Sequence, residues 1–116
     1  MPAGTFMEKS PLRPPILHIL LALSEGELHG LGIADRVEAA SDGVVHLGPG
    51  TLYRSLDEMQ EAGLVRRAEA PGGDADSRRK YYRITVRGRD LLRAEMERLQ
   101  GLVELARHRR ILGEGT

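Results

Sequence analysis

The run Gly48-Pro49-Gly50-Thr51-Leu52-Tyr53-Arg54-Ser55-Leu56-Asp57-Glu58-Met59-Gln60-Glu61-Ala62-Gly63 carries a helix together with both of its boundaries. Proline suits the first helical position, where its missing N–H is not needed and its φ is already helical. Glycine suits the residue just past the last turn, where the chain adopts a left-handed conformation. Between them Leu52, Leu56 and Met59 recur at i, i+4 and i+7, which makes one apolar stripe. The other face carries Arg54, Asp57, Glu58 and Glu61. The pattern predicts a helix over 49–62 with one side in a core and the other free.

Directly after it, two short runs, Leu64 to Glu69 and Lys80 to Thr85, have the look of strands joined by the turn-rich loop 70–77. In the second run Tyr82 and Ile84 alternate with Tyr81 and Arg83. A long helix is expected from Thr85 to about Ile111. Its residues Leu92, Met96, Leu99, Val103 and Ala106 step by 4, 3, 4 and 3, the spacing of a helix that packs along another helix. Gly101 interrupts it and is a candidate kink. At about 25 residues it would reach about 38 Å, longer than a three-helix domain needs.

Before the Gly48 run, Ser41-Asp42-Gly43 ends a helix expected from about His29 to Ala40, with Ile33 and Val37 one turn apart. Val44 to Leu47 reads as a short strand. A first helix is expected over Leu12 to Ser24. Its apolar residues cover most of its circumference, so it must be covered on both sides. Residues 1–10 read as a mobile arm before Pro11, Pro14 and Pro15. The expected architecture is mainly α with a small β-hairpin. It divides into the arm at 1–10, a winged helix-turn-helix domain over 11–85, a C-terminal dimerisation helix over 86–112 and a tail at 113–116.

Composition narrows the function. The chain of 116 residues fits one domain. It has no cysteine, so thiol catalysis, disulfides and cysteine-ligated zinc are excluded. No apolar run approaches the ~20 residues that span a bilayer, and the start lacks a signal-peptide pattern. A cytoplasmic protein with no membrane role is expected. The 17 basic and 17 acidic residues cancel, but unevenly. Residues 1–63 hold 4 basic and 9 acidic side chains, and residues 64–116 hold 13 and 8. Nine of those 13 lie between Leu64 and Arg93, a local patch suited to a polyanion. Two of the 17 basic residues are lysine and the rest are arginine, whose planar fork suits phosphates and guanine edges.

Several segments together resemble the PadR family of bacterial transcriptional regulators. They are His29-Gly30-Leu31-Gly32-Ile33, Gly48 to Leu56, Gly63-Leu64-Val65, and Arg78-Arg79-Lys80-Tyr81-Tyr82-Arg83-Ile84-Thr85 with Gly88. The resemblance covers roughly residues 14–100 and is similar to the shorter subfamily with a single C-terminal helix. It implies a winged-helix homodimer, usually a repressor, that often responds to a small aromatic, phenolic or drug-like molecule. Leu31 stands where the family often has tyrosine. Some members clamp flat drugs between tryptophans, and this chain has none.

The residues themselves suggest how DNA would be held. An α-helix fits the major groove and contacts bases from its N-terminal residues. Gly50 lets the backbone come close, Thr51 can bond phosphate or base, Tyr53 can reach the groove rim, and Arg54 can pair with guanine or phosphate. The acidic residues farther along would repel phosphate, so only the first two turns should enter. Arg78, Arg79 and Lys80 sit where a wing would meet the backbone or the minor groove. The expected dimer contacts are Leu17, Leu21, Leu92, Met96, Leu99 and Val103. An effector site is expected among Leu17, Leu21, Met96 and Leu99.

No metal or cofactor is implied. The four histidines lack ligand spacing, Gly48 to Thr51 lacks the lysine of a phosphate loop, and there is no evident nucleophile–base pair, so an enzyme is not expected. The expected function is a DNA-binding repressor acting as a homodimer on an inverted repeat and released by a small hydrophobic or aromatic effector. The alternative is a winged helix used only for protein–protein docking.

Overall fold

A computed structural model describes residues 11–70 and 79–113. Among these the elements run α1 (Pro14–Leu23), β1 (Leu28–His29), α2 (Gly30–Ala40), α3 (Pro49–Glu61), β2 (Val65–Ala68), β3 (Tyr81–Ile84) and α4 (Val86–His108). The expected arm at 1–10, the residues 114–116, Arg78 and most of the loop between β2 and β3 lie outside the described residues. The fold is the expected one: mainly helical, with a small antiparallel sheet behind the third helix.

The core is where the apolar stripes meet. Ile16, Ile19, Leu20 and Leu23 from α1, Ile33 and Val37 from α2, and Leu52, Leu56 and Met59 from α3 close on Leu64, Val65, Tyr82 and Leu92. Each such side chain contributes about 1.5–3 kcal/mol relative to exposure. This burial, rather than helix propensity, holds α3 with its polar face outward.

The end of α3 is closed by two reverse hydrogen bonds. Leu64 N–H donates to the Met59 carbonyl at 2.8 Å and Gly63 N–H to the Gln60 carbonyl at 3.1 Å. Gly63 takes φ +77°, as the sequence predicts. Met59 and Leu64 are both fully buried, which supplies the apolar contact that accompanies such a cap. The start of α4 is fastened to the same point. Thr85 caps α4 by accepting from Gly88 N–H at 3.0 Å while its hydroxyl donates to the Gly63 carbonyl at 2.6 Å. Thr85 N–H donates to the Leu64 carbonyl at 3.1 Å. A Cβ on Gly88 would overlap that same carbonyl and sit 3.1 Å from Ile84 Cγ1.

The sheet corrects one expectation. Val44–Leu47 is not a strand. The Ser41 hydroxyl accepts from Val45 N–H at 2.9 Å and turns the chain there, while Leu47 drops into the core. The third strand is instead β1, and the order is β1-β3-β2 with β3 central. Leu28 pairs with Tyr82, and Arg67 pairs with Tyr82 from the other side. His29 precedes α2 as its cap rather than opening the helix.

The long helix passes through Gly101 without a break and ends at His108, short of the expected 111. Arg110 takes φ +62°, and Ile111 N–H closes on the Ala106 carbonyl at 2.8 Å, which terminates the helix. Glu95 faces inward and is only 1 % exposed. Its carboxylate accepts from Leu12 N–H at 2.9 Å and from Arg98 Nε and Nη2 at 2.8 and 2.9 Å. These bonds satisfy a charge that would otherwise be costly to bury, and they raise the Arg98 pKa further above its usual value.

Gly88→Ala should lower stability by about 1–3 kcal/mol through overpacking, although alanine is the better helix former. Gly101→Ala, where a Cβ meets nothing within 4 Å, should be neutral or stabilising by up to about 1 kcal/mol. Urea midpoints of the two variants check this pair, and equal midpoints would contradict it.

Burial pushes the Tyr82 phenol above its ordinary value of 10.0, Arg67 opposes the rise, and Tyr53 and Asp57 add to it. A phenol raised in the folded state supports folding below pH 10 and loses that support as pH climbs through the folded value. Thermal melts should therefore fall more steeply above about pH 10 in the wild type than in Tyr82→Phe.

Candidate nucleic-acid interface

The outer face of α3 is set by what its inner face buries. With Leu52, Ser55, Leu56 and Met59 inward, a turn of 100° per residue puts Gly50, Arg54, Asp57 and Glu61 along the opposite side. Gly50, Arg54, Asp57 and Glu61 are all exposed, and Thr51 is half-buried. A Cβ at Gly50 would meet nothing within 4 Å, so the chain's own packing does not demand glycine there. Among the described residues neither Arg54 nor Asp57 forms a hydrogen bond or ion pair, although their i, i+3 spacing would allow one. Glu58 behaves differently: it is turned aside and held by Arg13 at 2.7 Å.

Tyr53 projects from the flank of α3 and lies over the start of α2. A Cβ on Gly30 would overlap the Tyr53 hydroxyl and sit 2.8 Å from Cζ, so glycine is what allows the two helices to meet here. The ring remains 46 % exposed. Beside it, His29 Nδ1 accepts from Gly32 N–H at 3.1 Å and caps α2. That bond requires an unprotonated Nδ1. The imidazole meets Tyr81 edge to face, with centroids 5.3 Å apart. His29, Gly30, Leu31, Tyr53, Arg79 and Lys80 together line an open cleft of about 360 Å³. The first N–H groups of α2 and the cations at the base of β3 make this cleft electropositive. Leu31, 63 % exposed, forms part of its lip.

The sheet adds a second basic feature. Arg66 and Arg83 are direct cross-strand partners and both are exposed. Like charges opposite one another weaken a strand pair. Arg67, on the other face, sits 5.9 Å from the Tyr82 ring centroid, a cation–π contact.

The structure thus gathers Tyr53, Arg79 and Lys80 into one cleft and places Gly50 and Arg54 on the adjoining face of α3. Arg78 lies outside the described residues. His29 and Leu31 join the cleft without having been expected there. Their signal in the sequence is the Gly30-Leu31-Gly32 opening of α2, which reads as a close approach only once Tyr53 is seen above it.

The apolar residues expected at a dimer seam divide into two groups. Leu92 is buried in its own chain's core, and Leu17 and Met96 are half-buried against that core. Leu92 is therefore covered by its own subunit and is not open to a second one. Leu21, Val103 and Leu105 are exposed, Leu102 is 52 % exposed, and Leu99 is half-buried. Leu102 and Leu105 fall outside the 4-3-4-3 stripe and were not expected. Among the described residues no group of three His, Cys, Asp or Glu side chains is placed to hold a metal ion. No described helix is long and apolar enough to cross a membrane.

Comparison with known proteins identifies the family and the fold. A protein of 37.1 kDa encoded in transposon TN4556 of Streptomyces fradiae, itself uncharacterised, is 39 % identical over 88 residues, 73 % of this chain. The chain spans about a quarter (24 %) of that relative's length. Solved structures share the fold, two of them as follows. A PadR family transcription regulator from Clostridium difficile R20291 superposes with a TM-score of 0.68 at 22 % identity, covering 81 % of this chain and 95 % of the other. Bacillus subtilis PadR in complex with operator DNA superposes with a TM-score of 0.62 at 22 % identity, covering 74 % and 48 %. The model of the transcriptional regulator PadR-like family matches residues 19–94, from the middle of α1 to the first turns of α4. With α2, α3 and the three strands all falling inside that match, this chain belongs to the PadR-like family of transcriptional regulators.

Proposed function

We propose that the chain is a sequence-specific DNA-binding regulator, a homodimeric repressor that reads an inverted repeat with α3 and grips the flanking backbone with the Tyr53–Arg79–Lys80 cleft. One observation carries the reading: the outward row of α3 opens on a glycine that its own packing does not require and continues to an arginine with no hydrogen-bond or ion-pair partner among the described residues. A groove-inserted helix needs both features, close backbone approach and a free fork for a guanine edge. The basic cleft and the opposed Arg66–Arg83 pair supply a surface whose repulsion a polyanion would relieve. The operator-bound B. subtilis PadR shows the same fold on DNA.

The homodimer rests on the lower half of α4. Leu99, Leu102, Val103 and Leu105 extend past the core that covers Leu92, and a helix of 23 residues reaches about 35 Å. A second copy of α4, with α1 contributing Leu17 and Leu21, would cover them. It would place two α3 helices about 34 Å apart on one face of DNA. A small apolar or aromatic effector would sit between the paired helices near Leu17, Leu21, Met96 and Leu99. It would release DNA only by favouring a dimer of different spacing.

The primary test is binding of the purified protein to the DNA upstream of its own gene and to a randomised DNA pool, with excess competitor at two salt concentrations. Specific binding should weaken steeply with salt. Arg54→Ala should cost about 1–3 kcal/mol at the specific site and relax preference there, whereas Lys80→Ala should weaken all sequences alike and reduce the salt slope by about 1. Sequence-independent binding unaffected by Arg54→Ala would leave protein docking as the role of the domain.

The dimer is tested separately by sedimentation. Leu99→Glu with Val103→Glu should yield monomers that keep their helical content and lose specific binding. A doubly substituted protein that still sediments as a dimer would remove α4 as the seam.

A further inference from the structure

Asp57 is the residue on the outer row of α3 that DNA binding does not explain. It lies near the centre of the face opposite Leu52, Leu56 and Met59, between Arg54 and Glu61, and is exposed. It has no hydrogen-bond or ion-pair partner among the described residues. Neighbouring Glu58, by contrast, is pulled to the side by Arg13, and Glu61 stands at the last residue of the helix.

A carboxylate at the centre of a DNA-facing helix opposes binding to any phosphate backbone. Removing it would strengthen non-specific attraction, so affinity is not what it provides. In the major groove the base-edge donors are the amino groups of cytosine N4 and adenine N6; the adenine amino group lies beside the N7 acceptor, so a carboxylate pairs best with cytosine N4, and it is repelled by the acceptors of guanine and thymine. Three residues of helix advance about 4.5 Å, close to the ~3.4 Å rise of one base-pair step. Asp57 opens the third turn of α3, just past the two turns expected to enter the groove, so with the helix seated one residue deeper Arg54 and Asp57 would address neighbouring base pairs.

We propose that Asp57 is a specificity-determining residue that accepts a hydrogen bond from a cytosine N4 amino group next to the base pair read by Arg54, and that it rejects other sequences by repulsion. The inference rests on the DNA-reading role proposed for α3 and adds to it the identity of a second base. Like other specificity devices, Asp57 gives up overall affinity to widen the gap between right and wrong sites.

Selection from a randomised DNA pool with the full-length wild type, Arg54→Ala and Asp57→Ala tests it. The wild-type motif should contain, in each half-site, a cytosine column beside the column that Arg54→Ala erases. Asp57→Ala should flatten the cytosine column alone. On a single operator, replacing that cytosine by thymine should weaken the wild type roughly 5- to 100-fold and leave Asp57→Ala nearly unchanged. Asp57→Ala should also bind unrelated DNA more tightly than the wild type does. Because Asp57 has no hydrogen-bond or ion-pair partner among the described residues, an unchanged melting temperature should accompany these effects. A wild-type motif that Asp57→Ala reproduces column for column would overturn the assignment while leaving the regulator intact. A wild type that selects no motif would remove the DNA-reading role of α3 and this assignment with it.

Discussion

The joint between the end of α3 and the start of α4 governs the geometry of the whole molecule. Gly63 turns left-handed, Leu64 follows it into the core, and the carbonyls of both residues are taken by Thr85. Gly88 then lies so close to the Leu64 carbonyl that no side chain fits between them. Buried backbone polar groups must be paired, and here the pairing is made across two elements and not within one. The helix facing outward and the helix that extends away from the domain are thereby held as one rigid corner.

Much of this was legible in the sequence. Pro49 and Gly63 mark a helix by covalent preferences that hold in any context, and the Leu52–Leu56–Met59 stripe fixes which face is buried. The alternation in Tyr81–Ile84 identifies the wing strand for the same reason. What the sequence hid depends on distant partners. Val44–Leu47 has strand composition, but a strand needs a neighbour, and the hydroxyl of Ser41 turns this segment before it can find one. Leu28–His29 is too short to show alternation and is a strand only because Tyr81 and Tyr82 lie beside it. The heptad spacing of α4 is real, yet its first member, Leu92, is claimed by the domain's own core. Spacing identifies an apolar face without saying what covers each part of it.

Glu95 illustrates the same limit for charge. On a helix rich in Arg and Glu it reads as one more solvated residue. The structure buries it against the backbone of Leu12, 83 residues away in sequence, and holds it with both donors of Arg98. No local pattern signals that arrangement. Its effect is to fix the segment leading into α1 against the flank of α4, so that both ends of the domain are tied to the same helix.

Apart from Tyr53, which packs on Gly30 and also faces the cleft, the residues of α3 that hold the fold and those that face outward are separate. Gly50, Arg54 and Asp57 are exposed, while Leu52, Leu56 and Met59 are buried. The outward set can therefore be rewritten without disturbing the inward one. A gene duplicate with this architecture could change its outward row with no loss of folding. The corner at Gly63, Thr85 and Gly88 would tolerate almost no change. Variation among descendants of such a chain would then collect on one side of a single helix.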